Sequence, residues 1–314
     1  MLKHNRFLIT GGAGFLGSAI ARQLLGHGAE AVLIDNFSSG SFRNIEQFSF
    51  YEKCTFVYGD VRNDEHTGRL VEDCDAVVHL AANHGAGPLT ADAMECVFNN
   101  LKCTEIVLRL AWKYGKRVFL ASDAGQPYVQ AGQPLTPGAA KIVDEYASSL
   151  LAARGLDIVV GRFRNIIGPQ QTSRFAGEIP AMISCALDDF PIIINSGPDI
   201  PRSYCAAGDA AEAVGRLLDS DNIRGYFDIV GGGWYTLRRL AGMIVRMSGS
   251  RSVIHAEPPP GMPPPESSDT TTEDLRITSE TGWRPKIPIE SVIGEMIEYE
   301  RIRRDRYGTA SGAI

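Results

Sequence analysis

Residues 6–17, Arg6-Phe-Leu-Ile-Thr-Gly-Gly-Ala-Gly-Phe-Leu-Gly17, decide the fold of this chain. An apolar strand ends in a turn with glycines at positions 11, 12, 14 and 17, and an apolar helical pattern follows it. Glycines in this arrangement allow a tight turn, a close approach of a pyrophosphate to backbone N–H groups, and close packing of helix on strand. The N-terminus of the helix adds a partial positive charge for phosphates. The stretch therefore predicts a dinucleotide-binding turn.

The next strand, Ala31–Asp35, ends in an acid about twenty residues after the glycines. A carboxylate at this place can accept hydrogen bonds from both ribose hydroxyls of NAD, whereas an NADP enzyme more often has an arginine there. The sequence therefore predicts NAD as the cofactor. The alternative is a tight turn in an ordinary α/β protein that binds no dinucleotide.

Composition narrows the class of protein. The chain has 314 residues and a net charge of −6, with both signs dispersed, so no basic face indicates a nucleic-acid partner. No apolar run is long enough to span a bilayer, and the first strand begins near the start of the sequence, so we expect no membrane partner and no secretory peptide. The six scattered cysteines include no C-x-x-C pair. This predicts free thiols, no metal site and a cytoplasmic location.

Strand-like apolar runs alternate with helical runs through residue 163, which is typical of parallel strands buried on both faces. These runs lie at 6–10, 31–35, 55–59, 76–81, 117–121 and 157–163. We predict an α/β fold, a Rossmann-type doubly wound parallel sheet with a smaller C-terminal substrate-binding lobe. The predicted boundaries are 1–163 for the NAD-binding domain, with 203–230 returning to it, and 164–202 and 231–314 for the lobe.

Further segments, in order along the chain, resemble motifs of the extended short-chain dehydrogenase/reductase family, the NAD-dependent nucleotide-sugar epimerases and dehydratases. They are Asp35-Asn36-Phe37-Ser38-Ser39-Gly40, Gly59-Asp60-Val61, His79-Leu80-Ala81-Ala82, Asn100 with Thr104, Gly161–Pro169, Arg202 and Thr281–Pro285. The resemblance extends from about residue 6 to 300. Gly161–Pro169 and the pair Asn99-Asn100 are most similar to GDP-mannose 3,5-epimerases.

The resemblance implies a set of binding residues and a homodimer. The implied cofactor-binding residues are Gly11, Gly14, Phe15, Leu16, Gly17, Asp35, Asn36, Ser38, Gly40, Asp60, Val61, Leu80, Ala81, Ala82, Asn100 and Lys141. The implied partners of the substrate diphosphate are Asn165, Arg174 and Arg202, since a diphosphate needs fixed donors and an arginine fork. Family members usually pair through two long helices, here about 91–114 and 138–154, so we expect a homodimer that binds a nucleotide-sugar.

The same resemblance implies a catalytic Ser or Thr at the end of the fifth strand and a Tyr four residues before a Lys. Ser122 and Lys141 match two of these positions, but position 137 is proline and has no titratable proton. The usual proton acceptor is therefore missing. Tyr128 and Tyr146 are the nearest tyrosines in sequence, and a packing or surface role is favoured for both.

Other catalytic patterns of the family are also incomplete. The Thr-Asp-Glu of dehydratases is Ser122-Asp123-Ala124 here, and the cysteine and lysine of GDP-mannose 3,5-epimerases correspond to Ala124 and Ile179. The predicted catalytic set is therefore Ser122, Asp123, Lys141 and His84. His84 follows the fourth strand, and because an imidazole side chain ordinarily titrates near neutrality, this residue is a candidate for the missing base.

Three hypotheses about function follow. The first is an NAD-dependent epimerase that oxidises a ring carbinol transiently and returns the hydride after inversion. The second is a nucleotide-sugar dehydratase or decarboxylase, in which Asp123 acts as the acid. The third is an NAD-binding pseudoenzyme with a sensing or scaffolding role, which Pro137 itself suggests.

Overall fold

The computed structural model describes residues 4–82, 91–123, 137–171, 177–195, 197–220, 222–256 and 275–308. Its strands, in chain order, are β1 Arg6–Thr10, β2 Glu30–Asp35, β3 Cys54–Tyr58, β4 Ala76–His79, β5 Arg117–Asp123, β6 Ile158–Phe163, β7 Ile166–Ile167, β8 Ile192–Ile193, β9 Arg202–Ser203, β10 Cys205–Ala206, β11 Gly225–Ile229, β12 Trp234–Tyr235 and β13 Ile254–His255. Its helices are α1 Phe15–Gly26, α2 Phe42–Ile45, α3 Asp64–Asp73, α4 Ala91–Tyr114, α5 Pro137–Ala152, α6 Glu178–Leu187, α7 Ala207–Leu218, α8 Leu237–Ser248, α9 Leu275–Thr281 and α10 Ile289–Tyr307, with a short 3₁₀ helix at Glu46–Phe48.

Seven parallel strands form the main sheet, in the order β11-β6-β5-β4-β1-β2-β3. The strand order reverses between β1 and β4, and ligands of such sheets bind beside the carboxyl ends of the strands at that point. The predicted doubly wound α/β fold is therefore confirmed. β5 is longer than predicted and ends at Asp123, so Ser122 and Asp123 are its last two residues.

One face of the sheet carries a continuous apolar core. Five neighbouring strands contribute residues at this face, and α4 contributes a second row, so sheet and helix bury each other. The residues are Leu8, Val32, Val77, Val118 and Val160 from the strands, and Ile106, Val107, Leu110 and Ala111 from the helix. This packing holds the carboxyl ends of the strands in fixed positions.

At the opposite end of β5 the guanidinium of Arg117 is almost fully buried. Its Nη1 lies 2.6 Å from Asp157 Oδ1, and its Nη2 donates to the carbonyl oxygens of Leu217 and Ile223 at 2.9 Å each. A buried charge is tolerated because these acceptors replace water. The contacts join the start of β5 to the end of α7.

The chain divides into two compact units. The first contains the described residues within 1–164, 208–229 and 273–284, and the second those within 165–207, 230–272 and 285–314. These boundaries differ from the predicted ones at two places. Residues 203–207 belong to the second unit because β9 and β10 pair with β12 and β7. Residues 273–284 belong to the first, where Trp283 Nε1 donates to the carbonyl of Asp209.

Three helices, α6, α8 and α10, pack against one another in the second unit. Their buried residues form its apolar core and include Ile179, Met182, Leu240, Ile244, Ile293 and Ile297. Three two-stranded pairs, β7 with β10, β9 with β12, and β8 with β13, accompany these helices. None of the helices in the described part of the chain combines the length and apolar character needed to cross a bilayer.

The packing between β5 and β6 depends on the absence of a side chain at residue 161. A Cβ at Gly161 would lie 2.3 Å from Phe119 Cζ, so Gly161→Ala forces the ring to shift. We expect this variant to lower the free energy of unfolding by about 1–3 kcal/mol, the usual effect of overpacking a core. Urea unfolding followed by circular dichroism measures the change.

Gly215→Ala is the matched control. Residue 215 lies within α7, and nothing lies within 4 Å of the added Cβ. Because alanine restricts the unfolded chain more than glycine, this variant should gain about 0.4–1 kcal/mol. Equal stabilities for the two variants would contradict the close packing of Phe119 against Gly161.

Candidate cofactor and catalytic site

The glycine-rich turn connects β1 to α1 in a conformation that excludes side chains. Gly11 has a φ of +69°, and its N–H donates to the carbonyl of Ile34 at 2.9 Å. A Cβ at Gly17 would lie 2.3 Å from the carbonyl oxygen of Gly11, so the start of α1 packs directly on the turn. Gly14 is the N-cap of α1 and has no side chain to occupy the first-turn N–H groups. These groups are available to an anion such as a pyrophosphate.

Asp35 lies at the end of β2 beside this turn. Its Oδ2 accepts a hydrogen bond from the Ala13 N–H at 3.0 Å, and its Oδ1 accepts one from the Phe37 N–H at 2.7 Å. Burial raises the pKa of Asp35, and these backbone donors partly offset the rise. A Cβ at Gly40 would lie 2.9 Å from both carboxylate oxygens, so glycine keeps the space beside them open. A ribose diol fits this acceptor.

The neighbouring loop brings further predicted residues to the same edge. Asn36 Oδ1 accepts from the Ser38 N–H at 3.0 Å, which orders the loop after Asp35. Asp60 follows β3, and the side chain of Arg62 donates to it, which lowers its pKa. Arg62 also donates to Asn99 Oδ1 at 2.6 Å and thereby links this loop to α4. Val61 is buried behind the loop.

The end of β4 lies against the glycine turn. A Cβ at Gly11 would lie 3.0 Å from the Ala81 nitrogen, so the predicted cofactor-binding residues after β4 are adjacent to the glycine turn. The backbone N–H groups of Leu80 and Ala81 donate to Thr10 Oγ1 at 3.2 and 3.1 Å. His79 Nδ1 lies 2.7 Å from the same oxygen. Ala82 is half-buried and is the last residue of the described range 4–82.

The predicted catalytic residues occupy different surroundings. Ser122 is buried, and none of the described residues hydrogen-bonds its Oγ. Asp123 is exposed and has an interaction partner. Lys141 is only 9% exposed, and its Nζ lies 3.6 Å from Asp144 Oδ2 on the same helix. A buried hydroxyl without a partner is costly, so Ser122 fits a site that a ligand oxygen completes.

The predicted substrate residues lie in the second unit. Asn165 is exposed, has a φ of +43°, and its Nδ2 donates to the carbonyl of Ser203 at 2.9 Å. Arg202 Nη1 lies 2.5 Å from Glu178 Oε2. The structure thus gives Arg202 a carboxylate partner of the kind that a phosphate can replace.

Two predicted residues, His84 and Arg174, lie outside the described residues, and so does Tyr128. Asn100 is buried on α4 and has a partner. Within the described ranges no group of His, Cys, Asp or Glu could hold a metal ion. All six cysteines lie in these ranges and are free thiols.

Three polar residues that were not predicted from the sequence contact predicted site residues. Asp144 contacts Lys141, Arg62 forms an ion pair with Asp60, and Glu178 forms one with Arg202. The i,i+3 spacing of Lys141 and Asp144 is a signal that could have identified the first pair. The pairing of Arg202 with Glu178 joins residues 24 apart and had no such signal.

A family model described as NAD dependent epimerase/dehydratase family matches residues 7–229. The chain is similar to a dTDP-glucose 4,6-dehydratase of Streptomyces niveus, with 27% identity over 95% of this chain and 94% of that protein. It is 29% identical to a UDP-N-acetyl-alpha-D-glucosaminuronate decarboxylase of Bacillus cytotoxicus over 68% of this chain and 71% of that protein.

Among solved structures, the chain is similar to a UDP-glucose 4-epimerase of Thermus thermophilus in complex with NAD. The TM-score is 0.79 and the identity 26%, over 94% of this chain and 99% of that chain. The three named proteins catalyse a dehydration, a decarboxylation and an epimerisation. The chain is therefore similar to proteins that share one fold but catalyse different reactions.

The buried imidazole of His79 makes stability depend on pH. Burial lowers its pKa from 6.5 to about 3, with a smaller contribution from Lys141. Between these two values the unfolded chain binds a proton that the folded chain does not, so stability rises with pH and is lost on acidification. We expect the wild type to lose up to about 1.4 kcal/mol per pH unit more than His79→Gln between pH 6 and 4.

Urea unfolding at several pH values measures this slope, and His27→Gln is the control because His27 is exposed. The control should keep the wild-type slope. Identical slopes for the wild type and His79→Gln would contradict the depressed pKa.

Proposed function

The chain belongs to the NAD-dependent epimerase/dehydratase family, and we propose that it is an epimerase that binds NAD and acts on a nucleotide-sugar. The observation that carries the proposal is the buried Ser122 hydroxyl, which has no partner among the described residues at the carboxyl end of β5. A hydroxyl at this edge of the sheet can hold the oxygen of a reacting carbinol. The similarity to an epimerase, a dehydratase and a decarboxylase that act on nucleotide-sugars supports this substrate class.

Three features of the first unit support NAD as the cofactor. The first-turn N–H groups of α1 are open to a pyrophosphate, and the space beside the Asp35 carboxylate is open to a ribose diol. Thr10 fixes the backbone of Leu80 and Ala81 beside the glycine turn, where the nicotinamide ribose is expected. When bound, NAD supplies a hydride acceptor and donor for transient oxidation of a ring carbinol.

The residues of the chain then have separate tasks. Ser122 donates to or accepts from the reacting oxygen, and Lys141 binds the hydroxyls of the nicotinamide ribose. Because position 137 is proline, the proton of the carbinol is taken by Asp123, His84 or a water that Lys141 orients. This active site without the usual tyrosine is part of the proposal.

Arg202 and Asn165 are the proposed partners of the substrate diphosphate, with Arg174 as a helper. The ion pair between Arg202 and Glu178 supports this assignment for Arg202, because it shows the guanidinium already oriented toward an anion. The resemblance of Gly161–Pro169 to GDP-mannose 3,5-epimerases makes a GDP-linked sugar the first substrate to test.

Two alternatives have observations in their favour. The names of the Streptomyces niveus and Bacillus cytotoxicus relatives favour a dehydratase or decarboxylase, in which the exposed Asp123 would be the acid. Pro137 favours an NAD-binding pseudoenzyme with a sensing or scaffolding role. A product lighter by water or carbon dioxide identifies the first alternative, and NAD binding without turnover identifies the second.

We further propose a cytoplasmic homodimer. The two long helices, α4 and α5, expose four large apolar side chains, Phe98, Trp112, Tyr146 and Leu150. A contact with a second copy of the chain through these two helices would remove such apolar side chains from water. The six free thiols are consistent with a reducing compartment.

Binding of NAD tests the cofactor site directly. Gly17→Ala places a Cβ 2.3 Å from the Gly11 oxygen and separates α1 from the turn, so we expect at least a roughly tenfold loss of NAD affinity. Gly26→Ala, at the end of the same helix, meets nothing within 4 Å and should bind like the wild type. Isothermal titration with NAD and NADP measures both variants, and the wild type should prefer NAD. Unchanged NAD binding by Gly17→Ala would contradict the proposed pyrophosphate site at the glycine turn.

Turnover is tested by incubating the purified protein with NAD and a nucleotide-sugar panel in heavy water, followed by mass spectrometry and NMR. We expect an isomerised product. Deuterium on a ring carbon would mean that a ketone intermediate exchanges a proton, and an isomer without deuterium would mean direct hydride return on the opposite face. Tight NAD binding with no product from any sugar would overturn the epimerase proposal.

A further inference from the structure

A buried acid lies beside Lys141. Asp144 and Lys141 are three residues apart on α5, only 2% and 9% exposed, and Asp144 Oδ2 lies 3.6 Å from Lys141 Nζ. Among the described residues, nothing hydrogen-bonds this oxygen within 3.5 Å, so the lysine is its ionic partner. Burial raises the pKa of Asp144, and Lys141 and Thr104 oppose the rise.

The pair is one end of a buried chain of hydrogen bonds that begins at the glycine turn. Thr10 Oγ1 accepts from two backbone donors, the N–H groups of Leu80 and Ala81. The hydroxyl proton of Thr10 is therefore directed to its remaining neighbour, His79 Nδ1, at 2.7 Å. His79 is neutral because burial lowers its pKa to about 3. Its single proton must then reside on Nε2.

The direction of the remaining bonds follows from that tautomer. His79 Nε2–H donates to Thr104 Oγ1 at 3.2 Å, so the Thr104 hydroxyl is free to donate onward. As a hydrogen-bond donor near the Asp144 carboxylate, Thr104 opposes the rise in the pKa of Asp144 and thereby favours its ionised form. The chain ends at Asp144, whose Oδ2 lies 3.6 Å from Lys141 Nζ.

The chain of hydrogen bonds and its ion pair consist of five polar or charged side chains, which an ordinary apolar core does not contain. Thr10, His79, Thr104, Asp144 and Lys141 are all buried. An isolated lysine or aspartate at such depth is strongly unfavourable, whereas a pair with additional hydrogen bonds is tolerated. Lys141 therefore compensates the buried carboxylate of Asp144, and the chain of bonds joins this pair to Thr10 and His79, the last residues of β1 and β4.

We propose that Asp144 is a positioning residue, which acts through Lys141 and sets the place of its ammonium group relative to the glycine turn. This inference rests on the proposed function, in which Lys141 binds the nicotinamide ribose of NAD. Asp144 itself contacts neither cofactor nor substrate. Its effect is confined to the half of the dinucleotide that Lys141 would contact.

The two halves of the cofactor provide the test. ADP retains the adenosine and the diphosphate but lacks the nicotinamide ribose, so its affinity reports the glycine turn and Asp35 alone. The ratio of NAD affinity to ADP affinity reports the Lys141 contact. A residue that only stabilises the fold would change both affinities together and leave the ratio unchanged.

We expect Asp144→Asn to lower this ratio about tenfold, the loss of one hydrogen bond to a charged group, with ADP affinity unchanged. Asp157→Asn is the matched control. Asp157 pairs with the buried Arg117 beside the starts of β5 and β6, at the end of the sheet opposite to the glycine turn. The control should lose stability yet keep the wild-type ratio. Thermal melting confirms that each variant is folded, and isothermal titration gives both affinities.

A double-mutant cycle identifies the route of the effect. If Asp144 acts through Lys141, Asp144→Asn added to Lys141→Met should not lower the ratio further. Thr104→Val and Thr104→Ser provide a second test that does not depend on Asp144→Asn being folded. The valine variant should lower the ratio severalfold, and the serine variant, which keeps the hydroxyl, should restore it.

The outcomes separate the inference from the proposed function. A wild type with no NAD affinity overturns both. A ratio that falls in Lys141→Met but not in Asp144→Asn or Thr104→Val overturns the inference alone. An additive loss in the double variant also overturns it, because Asp144 would then act independently of Lys141.

Discussion

The contact between the start of α1 and the glycine turn is the constraint from which the rest of the cofactor site follows. Because no side chain separates Gly17 from the carbonyl of Gly11, the helix begins directly on the carboxyl end of β1. The same turn is close to Ala81 after β4, and the Ala13 N–H holds the Asp35 carboxylate after β2. Three neighbouring strands thus end around one short segment. The parallel sheet supplies this geometry, and the glycines keep it free of side chains.

Sequence patterns predicted the parts of the fold that depend on local periodicity. The six apolar strands through residue 163 and the two long helices, α4 and α5, have nearly the predicted bounds. The short strands of the second unit, such as Ile192–Ile193, have only two residues each and therefore no periodicity to recognise. The return of residues 273–284 to the first unit depends on contacts such as that of Trp283 with Asp209, which no local pattern encodes.

The residues of the site also fall into those that a sequence pattern identifies and those that only the folded structure brings together. The glycine turn and Asp35 were recognisable because their chemistry depends on spacing along the chain. The buried chain from Thr10 to Asp144 joins four separate elements, so only the folded structure assembles it. Threonine, histidine and aspartate are ordinary residues in isolation. Their significance here lies in the direction of their hydrogen bonds, which depends on the two N–H groups after β4.

The late position of β11 in the chain has a consequence for biosynthesis. β11 completes the sheet beside β6, yet more than 60 residues separate the end of one strand from the start of the other. At the usual rate of translation the ribosome needs roughly 3–12 s to add that segment. During this interval β6 presents an unpaired strand edge, which is where other chains can add. The nascent protein is therefore most exposed to misassembly while residues 164–224 are being synthesised, after every residue of the glycine turn has already been made.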